Sequence, residues 1–278
     1  MQYWSISTTG NASTWGYLTQ KRYAMGSASN EARIVNIGGW WATPWTRATN
    51  IDYATVNSQG NATDFGDISI GGTGATSAAG DSWGRAVFTG ETASGYVTAL
   101  EYVDIATTGN SSTFSNMTFA GPGSAPYGMA GDGTYVLQAY TSNKDIYVWN
   151  MSNQSAAAYD KGEDWYNNHT DLNGLCADDT YAARAGSSSG FQGISRVTIT
   201  TNGSSVDFGD MVGNSGGGYV NMTCDNSTSR CVIAGRLWSP YTRNDINYFD
   251  IRNTGNATDF GDLTATNAGG GLACGSPA

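Results

Sequence analysis

The sequence predicts an all-β protein, a six-bladed β-propeller closed by strands from both ends of the chain. Three observations predict it. A decapeptide recurs as GNATDFGDIS at 60–69, GSSVDFGDMV at 203–212 and GNATDFGDLT at 255–264, with looser copies GNASTWGYLT at 10–19 and GNSSTFSNMT at 109–118. Its leading glycines, 10, 60, 109, 203 and 255, lie 50, 49, 94 and 52 residues apart, and the long gap is twice 47. A decayed sixth copy is therefore expected near Ser155–Asp160, within SAAAYD. Six copies at about 50-residue spacing mark a repeat architecture. Composition is the third observation. With 38 Gly, 9 Trp and 16 Tyr but only 13% charged residues, the chain is too aromatic for disorder and suits short strands between glycine turns. No long window carries apolar residues at helical spacing.

The elements follow in order. The chain opens on strand-like runs at 3–6 and 15–19, the third and fourth strands (c and d) of a blade. The next unit is the clearest. RYAMGSA (22–28) is strand a, and ARIVNIGG (32–39) is the apolar strand b. NIDYATV (50–56) and TDFGDISI (63–70) alternate as strands c and d. Strand b recurs at 84–90, 133–140, 181–186 and 230–235, and strand c at 100–105, 145–149, 194–199 and 246–251. Strand a is made of small residues (AMGSA, GATSAAG, NGLCA, NAGGGLA), as expected where blades converge on an axis. One domain over 1–278 results, with blades at about 20–70, 71–120, 121–169, 170–213 and 214–264. The last blade is shared by 1–19 and 265–278. It lacks a strand b, so it has three strands or takes a fourth from a partner chain. Joining the termini in one blade removes an open sheet edge.

Charge excludes some functions. The net charge is −10 and the pI about 4.3. The 13 basic residues are scattered, so the clustered cations that release counterions from nucleic acid are missing. No apolar run approaches the ~18 residues that span a bilayer, and no basic-apolar leader is visible. A soluble chain without membrane insertion is expected. The cysteines 176, 224, 231 and 274 form no CxxC pair. Buried small hydrophobes are the expected role, with Cys224–Cys231 across a hairpin the one disulfide to test.

In the repeat, Gly-Asn reads as a turn and the aromatic (Trp15, Phe65, Phe114, Phe208, Phe260) as a plug between blades. The flanking acids, Asp64/Asp67, Asp207/Asp210 and Asp259/Asp262, read as a solvated ring with turn-capping roles. Calcium loops are the alternative, though six to eight oxygen ligands are not evident. The DFG triplets lack every other kinase segment. The sequons at Asn11, Asn61, Asn110, Asn202 and Asn256 follow from the repeat. His169 is an isolated histidine in NNHTDL, and no spacing singles out a carboxylate pair from Glu91, Glu101, Glu163 and the aspartates. No catalytic residue, metal or cofactor is expected. A binding face is more legible. The loops after strand b carry Trp40, Trp41, Trp45 and Arg47, then Tyr96, Tyr140, and finally Trp238, Tyr241 and Arg243. Flat aromatics beside guanidinium groups suit sugar stacking or protein hot spots, and inter-blade packing is the competing role.

Strand b ending in Gly-Gly before aromatic c and d strands resembles the kelch blade, with Phe in DFGD where kelch has Trp. The TTGNATDFGDLT unit more closely resembles kelch-like repeat proteins of marine phages, including those of cyanobacteria. This likeness covers nearly the whole chain. It implies a phage virion structural protein, a tail, tail fibre or capsid-surface (decoration) component made in the host cytoplasm. Its partners would be other virion proteins in a multi-copy assembly, with host-surface attachment through a glycan as a further role. The alternatives are a carbohydrate-binding, lectin-like propeller and, behind it, a glycan-degrading enzyme.

Overall fold

The structure is a computed structural model of the chain. It describes residues 1–41, 46–92, 95–96, 99–116, 126–140, 145–152, 159–164, 174–186, 192–212, 219–237 and 243–265. Among these there are strands and turns and no helix. β1 (Gln2–Tyr3) and β2 (Ser13–Thr14) form a two-stranded sheet, and β3 (Arg22–Tyr23) pairs with β6 (Trp40–Trp41) in another.

Five four-stranded antiparallel blades follow. The first is β4 (Gly26–Ser29), β5 (Arg33–Ile37), β7 (Asn50–Thr55) and β8 (Thr63–Asp67). The second is β9 (Gly74–Gly80), β10 (Arg85–Thr92), β12 (Ala99–Asp104) and β13 (Ser112–Asn116), with β11 (Gly95–Tyr96) on the far end of β10. The third is β14 (Pro126–Gly131), β15 (Tyr135–Tyr140), β16 (Asp145–Asn150) and β17 (Tyr159–Asp164). The fourth is β18 (Leu175–Ala177), β19 (Tyr181–Ala185), β20 (Gly193–Thr198) and β21 (Val206–Asp210). The fifth is β22 (Tyr219–Asp225), β23 (Arg230–Leu237), β24 (Arg243–Asp250) and β25 (Thr258–Asp262).

The arrangement is a β-propeller, and the described residues form five four-stranded blades where six were expected. The N-terminal stretch contributes only β1 and β2, shorter than the runs at 3–6 and 15–19 and set differently. The partner run at 268–275 lies outside the described residues. The innermost strands β4, β9, β14, β18 and β22 together line an axial cavity of about 90 Å³. Their small side chains (Ser27, Ala28, Ala79, Ala130, Ala177) let five strands converge there.

The outer strand does not alternate as its sequence suggests. In every blade the register between the third and fourth strands shifts at one point. In the first blade Asp52 faces Asp64 while Ile51 faces Gly66, so Phe65 is the extra residue of a β-bulge. Phe114, Phe208 and Phe260 occupy the same bulge. A bulge re-aims one side chain. Here it turns each phenylalanine inward, and Phe65, Phe208 and Phe260 do so between two exposed aspartates.

Each phenylalanine then enters the core shared with the following unit. Phe65 packs with Val35 and Ile51 of its own blade and with Phe88, Val103 and Ile105 of the second. Phe114 meets Val136, Trp149 and Met151 of the third. Phe208 meets Phe249 and Ile251 of the fifth. Phe260 meets Ala12, Trp4 and Ile6 of the N-terminal stretch. Burying one such ring stabilises by about 1.5–3 kcal/mol. In the third blade the decayed copy continues from Tyr159 as YDKGED, which by register puts Lys161 where the others have phenylalanine.

The Gly-Asn pair is more than the local turn expected. Gly109 N–H donates to Phe65 O (2.9 Å) and Ser111 N–H to Asp67 O (3.0 Å). Asn110 Oδ1 accepts from Asp67 N–H (2.9 Å). The turn of one blade thus latches onto the outer strand of the preceding blade. Gly255, Ala257 and Asn256 latch onto Phe208 and Asp210 in the same way. Gly10, Ala12 and Asn11 latch onto Phe260 and Asp262. Ala62 and Asn61 latch onto Tyr17. The N-terminal stretch therefore bonds to the fifth blade on one side and the first on the other.

Candidate binding face and the polar network beneath it

Buried polar residues of the third strands form a second set of blade-to-blade bonds. Glu101 is fully buried and accepts from the hydroxyls of Ser69 and Ser111, each at 2.5 Å. At the equivalent position Asn247 Oδ1 accepts from Val212 N–H (2.9 Å), and Gln2 Oε1 accepts from Thr264 N–H (3.0 Å). Asp52, also there, binds the Thr19 hydroxyl and forms a fully buried ion pair with Arg22. Burial pulls the Arg22 guanidinium below its ordinary value, and the charge of Asp52 opposes that fall.

Four arginines form a third set. Arg33 lies 4.7 Å from the centre of the Tyr53 ring and donates to the Ile105 and Ala106 carbonyls of the second blade. Arg85 lies 5.8 Å from Tyr102 and donates to Met151 O of the third. Arg230 lies 4.6 Å from Tyr248 and donates to Ile6 and Ser7 of the N-terminal stretch. In the fourth blade the pair is exchanged. Tyr181 holds the arginine position, and Arg196, on the neighbouring strand, lies 4.3 Å from it and donates to Ile251 O and Arg252 O.

Another periodicity escaped the sequence analysis. Asn30, Asp81, Asp132, Asp178 and Asp225 end the innermost strands, and each Oδ1 accepts backbone N–H groups two to four residues on. Such Asx turns close the first hairpin of each blade. The signal was present, at spacings of 51, 51, 46 and 47 residues, but a single recurring Asx is faint beside a recurring decapeptide.

Of the predicted face, the side chains of Trp40, Trp41 and Arg47 are described. Gly38 and Gly39, at φ +59° and +93°, end β5 and swing the chain outward. A side chain on Gly39 would meet Tyr23 O, so the pair must be bare. Beyond it β6 pairs with β3, placing Trp40 opposite Tyr23 and Trp41 opposite Arg22. Trp40 is half-buried. Arg47 lies 4.4 Å from the centre of its ring, and the ring also packs against Gly74 of the second blade, where a Cβ would clash with it. Arg47 pairs with Glu91 of β10 at 2.5 Å. Glu91 stands opposite Tyr96 in register, so the structure brings Trp40, Arg47 and the backbone of Tyr96 together. Trp41 is half-buried near Arg22 (6.0 Å). Tyr140 and Arg243 are placed by backbone alone, opposite Pro126 and Arg236. Trp45, Trp238 and Tyr241 lie outside the described residues, as does His169.

The acids considered for hydrolysis are engaged elsewhere, Glu101 in the buried clamp and Glu91 with Arg47. The backbone of Glu163 is described, without its side chain. Asp64, Asp67, Asp207, Asp210, Asp259 and Asp262 are exposed on the outer strands, and no cluster suited to a metal occurs among the described residues.

Cys224 and Cys231 are opposed in register, as the hairpin suggested. Cys231 also contacts the preceding blade, where Cys176 Sγ lies 2.7 Å from Cys231 Sγ. All three are free, buried thiols, and Cys274 lies outside the described residues. No protein-family model matches the chain, and no curated protein matches it.

Proposed function

We propose that this propeller is a non-enzymatic structural protein of a phage particle, a tail, fibre or capsid-surface component that binds other virion proteins. In this reading the run at 268–275 joins β1 and β2 to complete a sixth, kelch-like blade. The phage assignment rests on the resemblance of the repeat. The observation that supports the non-enzymatic part is the engagement of two buried acids and four arginines among the described residues. Asp52 and Glu101, with Arg33, Arg85, Arg196 and Arg230, bond blade to blade. That chemistry builds a rigid platform whose aromatic rim is its recognition surface. Peptide mass spectrometry of purified particles, with labelled-antibody imaging, tests the assignment. The chain is expected in the particle at a fixed ratio to its neighbours, and its absence there sinks the reading.

The half-buried Trp41 and the Trp40–Arg47 stack favour a second reading, a glycan-binding face. A glycan array probed with wild-type protein and with Trp41→Ala and Trp238→Ala separates the two. A purely assembling protein retains no sugar.

A further inference from the structure

The three buried cysteines meet where the fourth blade joins the fifth. Cys176 sits on the innermost strand β18, Cys224 on the innermost strand β22, and Cys231 opposite Cys224 on β23. Cys176 and Cys231 are 2% and 0% exposed, and their sulfurs are 2.7 Å apart. That separation is shorter than an ordinary non-bonded sulfur contact and longer than the ~2.05 Å of a disulfide. Cys176 and Cys224 also line the axial cavity of about 90 Å³, which has room for several waters and so for a molecule as small as hydrogen peroxide.

From this geometry we infer that the cluster is an oxidation site, at which hydrogen peroxide converts Cys176 and Cys231 into a disulfide that staples the fourth blade to the fifth. Cys224 is the entry thiol. Its sulfur attacks the peroxide, takes one oxygen as sulfenic acid and releases hydroxide. Cys231 displaces that oxygen as water, giving a Cys224–Cys231 disulfide. Cys176 then attacks Cys231, and Cys224 leaves as a thiol. In sum, two thiols give up two electrons and two protons, and one peroxide becomes two waters. Protonation fits these roles. Hydrogen bonds from Cys176 and Cys231 lower Cys224 to about 6, against the opposing burial and the charges of Asp178 and Asp225. Burial pushes Cys176 and Cys231 well up. Of the three thiols Cys224 is the one shifted toward the thiolate, which makes it the nucleophile in this scheme.

The bond closes a loop with |i−j| of 55 between blades, so the oxidised protein should melt on the order of 10 °C higher than the reduced one. The test uses the full chain with Cys274→Ser. It is treated with peroxide under native conditions, then alkylated and mapped without reductant. Thiols should fall from three to one, with the peptides holding Cys176 and Cys231 linked and released by dithiothreitol. Cys224→Ser should slow the linkage at least about tenfold without changing the pair. A dominant Cys224–Cys231 or Cys176–Cys224 linkage overturns the inference. So do thiols that survive peroxide until the chain is unfolded in urea. The mapping does not depend on any variant of Cys176, Cys224 or Cys231 folding.

Discussion

Tyr181 and Arg196 hold in the fourth blade the positions that Arg33 and Tyr53 hold in the first, in reverse order. In both cases a ring supports a guanidinium that donates to the end of the next blade's third strand. What is kept is the pair and its bond, not the residue at either position. Arg196→Tyr should cost about 2–3 kcal/mol, the sum of a charged hydrogen bond and a cation–π contact. Tyr181→Arg alone should also destabilise, by setting two guanidinium groups side by side. The double variant rebuilds the arrangement of the other blades and should recover most of the loss, a coupling of about 1–2 kcal/mol by urea denaturation. Additive losses would show that the exchange is incidental. None of this was visible in the sequence. Arg33 and Tyr53 are 20 positions apart there, and only antiparallel register makes them neighbours.

At the scale of the element, the decapeptide is a bulged strand plus a latch. Its glycines are not equivalent. A Cβ on Gly66 would overlap Gly109 O, whereas one on Gly60 meets nothing within 4 Å. Gly66→Ala should therefore lose about 1–3 kcal/mol by overpacking. Gly60→Ala should change stability by about 0.5 kcal/mol or less. Thermal melts of the two variants check this, and equal losses would refute the latch. The sequence made the repeat and its spacing plain, and with them the all-β fold and the small innermost strands. It hid two things. The phenylalanine is the inter-blade plug the sequence suggested, but the bulge that aims it breaks the alternation expected of TDFGD. The partner of each Gly-Asn lies in the preceding copy, tens of residues away, so local reasoning saw only a turn. The Trp-rich rim was legible as composition. Its packing was not, because Trp40 meets Gly74 and Arg47 meets Glu91 through an inter-blade contact.

Across the whole molecule, the same devices recur at successive junctions, and the N-terminal stretch takes part as a blade does. It accepts the ring of Phe260, receives Arg230, and gives Tyr17 to the first blade. Residues 1–19 should thus act as a closing wedge. Removing them uncovers Phe260 and Leu263 and strips the fifth blade of its neighbour. The shortened chain should lose several kcal/mol and unfold less cooperatively, seen as a lower denaturant m-value. Unchanged denaturant midpoint and slope would mean that the N-terminal stretch is an appendage.

Hydrogen exchange of the intact protein tests ring closure most directly. The amides of Gly10 and Ala12 sit in a turn segment, yet they donate to Phe260 O (2.9 Å) and Asp262 O (2.8 Å) of the fifth blade. A closed ring predicts protection of these two amides comparable to that of Gly109 and Ser111, which form the same latch between the first and second blades. Exchange of Gly10 and Ala12 at the rate of an open loop, with Gly109 and Ser111 protected, would contradict it.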